Sequence, residues 1–205
     1  MDWSRRWAPY DEDTYQAVLA QIGPEDVVFD IGAGDLRLSR RMAVRARRVY
    51  AVELQPSLVR RGLAAGPLPA NVHVLVADAR RVAIPPGVTV GVLLMRHCPA
   101  AEVALYIRKL RAAGARRLLT NARWGLGVEL VDLTVSRRPY DQVAIGWYAC
   151  ACGAVGFVPG PPEALTDAVL AQVHEVVACP ACMARAEPVP HALGPAIEAL
   201  TSTGK

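Results

Sequence analysis

The sequence predicts an α/β protein: an open, doubly wound, mostly parallel sheet followed by a small cysteine-held element. Three observations carry this. Apolar strand-like runs alternate with helical segments between residues 27 and 120. Those runs lack polar alternation, as strands covered on both faces do. Four of the five cysteines fall in two tight pairs after residue 145.

Each element has a local reason. Residues 11–22 place Tyr15, Val18, Leu19 and Ile22 at helical spacing, and Gly23-Pro24 ends that helix. Residues 27–34 form an apolar strand that breaks into glycines. A helix over 36–45, a strand over 48–53 and a helix over 56–65 follow. Strands are expected at 72–77 and 88–95, then a helix over 101–113 with Gly114 placed to cap it, and a strand over 116–120. Right-handed crossovers join such parallel strands. After Asn121 the rhythm changes. Residues 128–135 and 142–149 suit an antiparallel pair, and 126–133 suit a short helix equally well. Pro159 to Pro162 make a rigid break before a helix over 163–172 and a strand over 173–178 leading into Cys179. Residues 192–200 suit a short helix. The expected division is a first domain over 1–145, a cysteine element over 146–190 and a tail over 191–205.

With 205 residues, 53% of them hydrophobic, the chain can bury a substantial core. Only 20% are charged, and the charges are well mixed, which argues against a disordered chain. The net charge of +4 and pI of 8.9 are compatible with nucleic acid without requiring it. Lysine occurs only at Lys109 and Lys205, so arginine supplies the basicity. Arg37, Arg41, Arg45 and Arg48, with Arg40 and Arg47 beside them, read either as a phosphate-tracking stripe or as a solvated helix face. The uncharged stretch from Gln142 to Pro162 is broken by Cys, Gly and Pro and does not read as a membrane span. Met1 to Asp13 lack the apolar region of a secretory signal. A cytoplasmic location is therefore expected, where paired cysteines hold metal more often than they form disulfides.

The sharpest motif is Asp30-Ile31-Gly32-Ala33-Gly34-Asp35-Leu36. Glycines at a strand end let the backbone turn sharply and approach a ligand closely. A dinucleotide fingerprint needs a small residue where Arg37 stands, which disfavours NAD and FAD, and no phosphate-loop Gly-Lys-Ser/Thr follows. Glu53 ends the second strand at the position where a carboxylate can accept both ribose hydroxyls of a nucleotide. Asp78 ends the third strand within Val76-Ala77-Asp78-Ala79-Arg80. Taken separately, Glu53 and Asp78 also suit helix N-caps.

In these residues, over roughly 11–121, the sequence resembles the Rossmann-like class I methyltransferases, with Leu36 standing where a third glycine is usual. The resemblance implies S-adenosylmethionine as cofactor. It implies Asp30 near the methionine moiety, and Ile31, Gly32, Ala33 and Gly34 along the cofactor. Glu53 and Leu54 would lie at the ribose, Asp78 and Ala79 at the adenine, and Met95 beside the reaction centre. Trp3, Arg5, Arg6 and Trp7 could close over that cofactor or anchor the N-terminus.

At the fourth strand end, Met95-Arg96-His97-Cys98-Pro99 lacks the Asn/Asp-Pro-Pro-aromatic motif of amino-methylating relatives. His97 is a candidate general base and Cys98 a candidate nucleophile, against the alternatives of a strand-end histidine and a buried cysteine. Methyl transfer itself needs mainly in-line alignment.

Cys150-x-Cys152 and Cys179-x-x-Cys182 resemble the two knuckles of a zinc ribbon. Four thiolates suit a structural Zn²⁺ with no open position; an iron–sulfur cluster or a redox pair is the alternative. The expected function is S-adenosylmethionine-dependent methyl transfer, with RNA or another translation-related macromolecule slightly favoured over a small molecule as acceptor. The contrasting reading is a non-catalytic, zinc-containing module that binds nucleic acid or protein. Oligomeric state has no signature in the sequence.

Overall fold

The computed structural model describes residues 8–125 and 127–186. The segment holding Trp3, Arg5, Arg6 and Trp7, the expected helix over 192–200 and the tail over 191–205 lie outside the described residues.

The first unit runs α1 (Glu12–Leu19), β1 (Val27–Ile31), α2 (Arg37–Ala43), β2 (Arg48–Glu53), α3 (Pro56–Ala64), β3 (Val72–Val76), β4 (Val90–Leu93), α4 (Ala100–Ala112), β5 (Arg117–Thr120) and β6 (Glu129–Asp132). Asp11 caps α1 by accepting a hydrogen bond from the Thr14 amide at 2.8 Å. Gly114, at φ +82°, takes the left-handed turn that ends α4.

The sheet order is β3-β2-β1-β4-β5-β6. Pairing from β3 through β5 is parallel, and β6 joins antiparallel. Both faces are covered. Val28, Val49 and Val92 pack with Val18, Met42 and Val59 of α1, α2 and α3. Phe29, Ile31 and Leu118 pack with Val103, Ile107 and Leu110 of α4 on the other side. Alternate residues of one strand feed opposite layers, so the apolar runs are unbroken. Gly91 lets α4 press close, since a Cβ there would lie 2.5 Å from Leu110 Cδ1. At the sheet's lower end Arg117 Nη2 donates to both oxygens of Asp26 at 2.8 Å, and Thr89 Oγ1 donates to Oδ1 at 2.8 Å.

The second unit is a four-stranded sheet in the order β7-β10-β8-β9. Its strands are β7 (Arg138–Pro139), β8 (Gly146–Cys150), β9 (Val155–Val158) and β10 (Val173–Val177), with α5 (Asp167–Ala171) before β10 and α6 (Pro180–Ala186) after it. This corrects one expectation. The segments 128–135 and 142–149 do not pair with each other. The first, strand rather than helix, adds to the open edge of β5, which its own chain reaches first. The second pairs with β9 through a tight hairpin and with β10 in parallel. The strand β7 extends this sheet back to residues that precede 146.

Candidate cofactor cleft and four-cysteine site

The turn after β1 is pinned to its neighbour: the amides of Gly32 and Ala33 both donate to Val52 O, at 2.9 and 3.0 Å. Gly32 and Gly34 adopt φ of +73° and +59°, and Leu36 follows at +63°. A left-handed leucine costs about 1–2 kcal/mol. Its side chain is fully buried, which returns about 1.5–3 kcal/mol. Space for it comes from α3, where a Cβ on Gly62 would lie 2.3 Å from Asp35 O and 3.0 Å from Leu36 Cγ.

The three acidic residues stand at the carboxyl ends of three adjacent strands. Glu53 is buried; its Oε2 accepts from the Gly34 amide at 2.9 Å and its Oε1 from the Gln55 amide at 2.8 Å. Each oxygen keeps a lone pair for a further donor. Asp30 is buried and accepts from Ser39 Oγ at 2.6 Å. Burial pushes its carboxyl up to about 6, with the nearby Glu53 adding to the rise and the Ser39 hydrogen bond opposing it. Asp78 is held by Arg80, whose Nε and Nη2 reach its two oxygens at 2.8–3.1 Å. That hydrogen bonding keeps its carboxyl below the usual range. Lys109 Nζ donates to the carbonyls of Ala79, Arg80 and Val82 at 2.6–2.9 Å, so α4 clasps this loop. Leu54 and Val76, both exposed, place apolar surface beside Glu53. Ile31 is buried, and Ala79 packs in the core.

A cleft runs past Gly32, Ala33 and Gly34 with Asp30 and Leu94 in its walls. Ala8, Pro9 and Tyr10, from the chain before α1, also line it. The Tyr10 hydroxyl accepts from the Arg96 amide at 3.2 Å, and the Arg96 guanidinium lies 5.2 Å from the Tyr10 ring centroid. The chain before α1 therefore straps across to the end of β4.

At that end the Met95 amide donates to Asn121 Oδ1 at 2.9 Å, and Met95 Cε lies 3.1 Å from where a Gly32 Cβ would sit. Asn121 is buried, and its Nδ2 has no partner among the described residues. His97 is exposed on a turn. Cys98 points into the core, where burial pushes its thiol up to about 11. A thiol so shielded is mostly protonated near neutrality, so the geometry offers Cys98 as core packing rather than as a nucleophile.

Arg37, Arg40 and Arg41 of α2, and Arg45 just after it, all have partners. Arg40 donates to the carbonyls of Gly62, Gly66 and Pro67; Arg41 pairs with Glu12; Arg45 reaches Leu19 O; Arg37 pairs with Asp35. Arg40 thereby fastens α3 to α2, and Arg41 and Arg45 fasten α1, a structural role that replaces the stripe reading for these three, while the Arg37 pair is local.

The four paired cysteines converge although they come from different elements. Cys150 ends β8, Cys152 lies in the following turn, and Cys179 and Cys182 bracket the start of α6. Ala178, at φ +57°, turns the chain so that Cys179 faces the hairpin. All four Sγ atoms lie within 4.8 Å of one another, with Cys150–Cys182 at 3.8 Å and Cys152–Cys179 at 3.6 Å. Four sulfurs at about 2.3 Å from one Zn²⁺ in a tetrahedron are about 3.8 Å apart. Burial and the neighbouring sulfurs push the Cys179 thiol up to about 12 and raise Cys182, whereas hydrogen bonds from Cys152 and Cys179 outweigh burial and lower Cys150; a central cation would favour the thiolate form across the cluster.

The sequence did not single out Tyr10, Arg80, Asn121 or Glu175. Their partners lie far along the chain, or, for Arg80, depend on a loop conformation that no local pattern marks.

No family model matches the chain. It is 39% identical over 66 residues to a probable ribosomal RNA small subunit methyltransferase A of Methanosarcina barkeri, a match covering 32% of this chain and 23% of that protein. The corresponding Methanosarcina acetivorans protein is 40% identical over 68 residues, covering 33% and 25%. The matched stretch thus spans about a quarter of those relatives' length. Among solved structures, a precorrin 8W decarboxylase of Methanobacterium thermoautotrophicum superposes with a TM-score of 0.47 at 24% identity, covering 56% of this chain and 64% of that one. The main sheet is an open, Rossmann-like α/β fold. Its strand order and its single antiparallel edge strand set that class, and the cleft lies outside the carboxyl ends of the strands, where open α/β sheets bind ligands. No helix among the described residues is long and apolar enough to cross a membrane.

Proposed function

We propose that the chain is an S-adenosylmethionine-dependent methyltransferase acting on RNA, with a structural Zn²⁺ held by Cys150, Cys152, Cys179 and Cys182. The observation that carries the reading is the convergence of Asp30, Glu53 and Asp78 at three neighbouring strand ends around a glycine turn. The donor and acceptor groups suit the cofactor, while the cleft at the glycine turn encloses only about 40 Å³ as it stands. Glu53 has acceptor capacity left for ribose hydroxyls, and the missing side chain of Gly32 lets Met95 pack directly against the turn. Leu54 suits one face of a flat ring. Asp78 can accept from the adenine amino group once the half-exposed Arg80 shares or releases it, a surface pair of small worth. Asp30 suits the methionine end.

The cofactor supplies a sulfonium methyl group. The protein's own part is to hold the acceptor in line and to exclude water, with Tyr10 and Arg96 closing the rim. The similarity of one third of the chain to ribosomal RNA methyltransferases of Methanosarcina supports an RNA acceptor, as does the basic pI. Residues 1–145 would carry cofactor binding and 146–190 the metal element.

Calorimetric titration with S-adenosylmethionine tests the reading, with NAD as control. Micromolar binding that is lost in Glu53→Ala supports it; no binding to the wild type rejects it. Metal analysis should give about one zinc per chain. A non-catalytic binding module is the second reading, favoured by the inward-facing Cys98. It predicts that a partner RNA stays bound in Glu53→Ala and that no extract component accepts a methyl group.

A further inference from the structure

Two separate contacts join the four-cysteine element to the rim of the cleft. The first is a chain of buried charge. Glu175 lies on β10, the strand that delivers Cys179. Its Oε1 accepts from Arg123 Nη1 at 2.5 Å and its Oε2 from Arg137 Nη2 at 3.4 Å. The three side chains are 12%, 4% and 13% exposed. Arg123 also pairs with Glu129 at 3.2 Å. It sits just beyond Asn121, whose Oδ1 holds the Met95 amide, and Met95 Cε meets Gly32. The path from the cysteine strand to the glycine turn is therefore continuous.

The second contact is steric. Gly153, in the turn of Cys150 and Cys152, lies so close to the first residue of α4 that a Cβ would sit 1.9 Å from Ala100 O. Ala100 follows directly on the Arg96–Pro99 segment at the end of β4. An edge-to-face contact of Trp124 with Trp147, 5.6 Å between centroids, lies alongside the charge chain.

Apolar packing could have held the two units together as firmly, because buried ion pairs repay little more than their desolvation. What oriented charges add is one defined register. We infer that Glu175 is a positioning residue: through Arg123 it sets the ends of β5 and β4, so that order in the four-cysteine element is transmitted to the acceptor side of the cleft. The functional meaning rests on the proposed cofactor reading; the coupling itself does not.

Amide hydrogen exchange on the full chain tests it, with the bound metal present and after its removal by chelation. Metal removal from the wild type should raise exchange at least tenfold over residues 94–98 and 121–124, leaving 28–31 and 49–52 protected. Glu175→Ala should give the same local pattern with metal content unchanged, and chelation should then add less than twofold at those amides. Glu175→Gln, which keeps the shape and an acceptor, should fall between. A purely structural role would raise exchange throughout. Unchanged exchange at 94–98 and 121–124 in Glu175→Ala, or effects of mutation and chelation that multiply, would overturn the inference. Should Glu175→Ala fail to fold, the double variant Arg137→Met, Glu175→Met removes one base with the acid and leaves Arg123 its ion pair with Glu129. It must show the same local rise for the inference to stand. If the protein purifies without metal, the Glu175 variants decide alone. A wild type that binds no S-adenosylhomocysteine rejects the cofactor reading, while the exchange pattern still decides the coupling.

Discussion

Asp30 is a buried carboxyl with one hydrogen-bond donor, and its raised titration has a stability consequence. Its folded pKa, about 6, exceeds the unfolded value, so the folded state binds the extra proton between about pH 4 and 6. Stability from this group is fully present below pH 4 and is lost as pH rises through 6, by at most about 3 kcal/mol. Thermal melts should therefore show Asp30→Asn flattening that slope and gaining on the wild type at pH 8. A cationic ligand group beside Asp30 has the opposite sign. Titration with S-adenosylhomocysteine should weaken as pH falls below 6 in the wild type, and Asp30→Asn should bind more weakly with little pH dependence. Glu53→Gln keeps one acceptor for two backbone donors, so it should lose about tenfold in cofactor affinity with a Tm shift of only a few degrees.

Elements here are positioned by small residues and by arginines that reach across. A methyl group at Gly62 would collide with backbone at 2.3 Å, so α3 would have to shift away from the Leu36 turn. Denaturant unfolding should show Gly62→Ala destabilised by about 1–3 kcal/mol despite alanine's better helix propensity. Arg40 binds three carbonyls at the end of α3. Replacing it with alanine should cost about 1–2 kcal/mol while leaving RNA affinity within twofold. A large loss of RNA affinity with unchanged stability would restore the phosphate-stripe reading for α2.

The whole molecule joins a six-stranded sheet with a buried apolar layer on each face to a small sheet with little core of its own. Val143, Cys150, Val176 and Cys179 are that second core, and two of the four are metal-ligand candidates. A unit this small usually needs a staple, and metal binding then contributes its folding free energy directly. Chelation should release about one zinc per chain and abolish the protection of β8 and β10, while the six-stranded sheet still unfolds cooperatively. Equal stability with and without metal would show that the cysteines are not a structural centre.

The sequence alone determined the five parallel strands, because unbroken apolar runs and glycine punctuation report local burial directly. It also determined the acidic strand ends and the two cysteine pairs, whose meaning lies in spacing. Glu53 and Asp78 were legible because a parallel sheet carries all carboxyl ends to one edge. Tertiary structure alone decided where segment 128–135 pairs, since an edge strand's partner depends on which open ladder it reaches. It alone turned Cys98 inward, gave the α2 arginines structural partners, and brought Glu175 to Arg123 from 52 residues away. Contacts of that kind depend on how two folded units dock, and docking leaves no period in the chain.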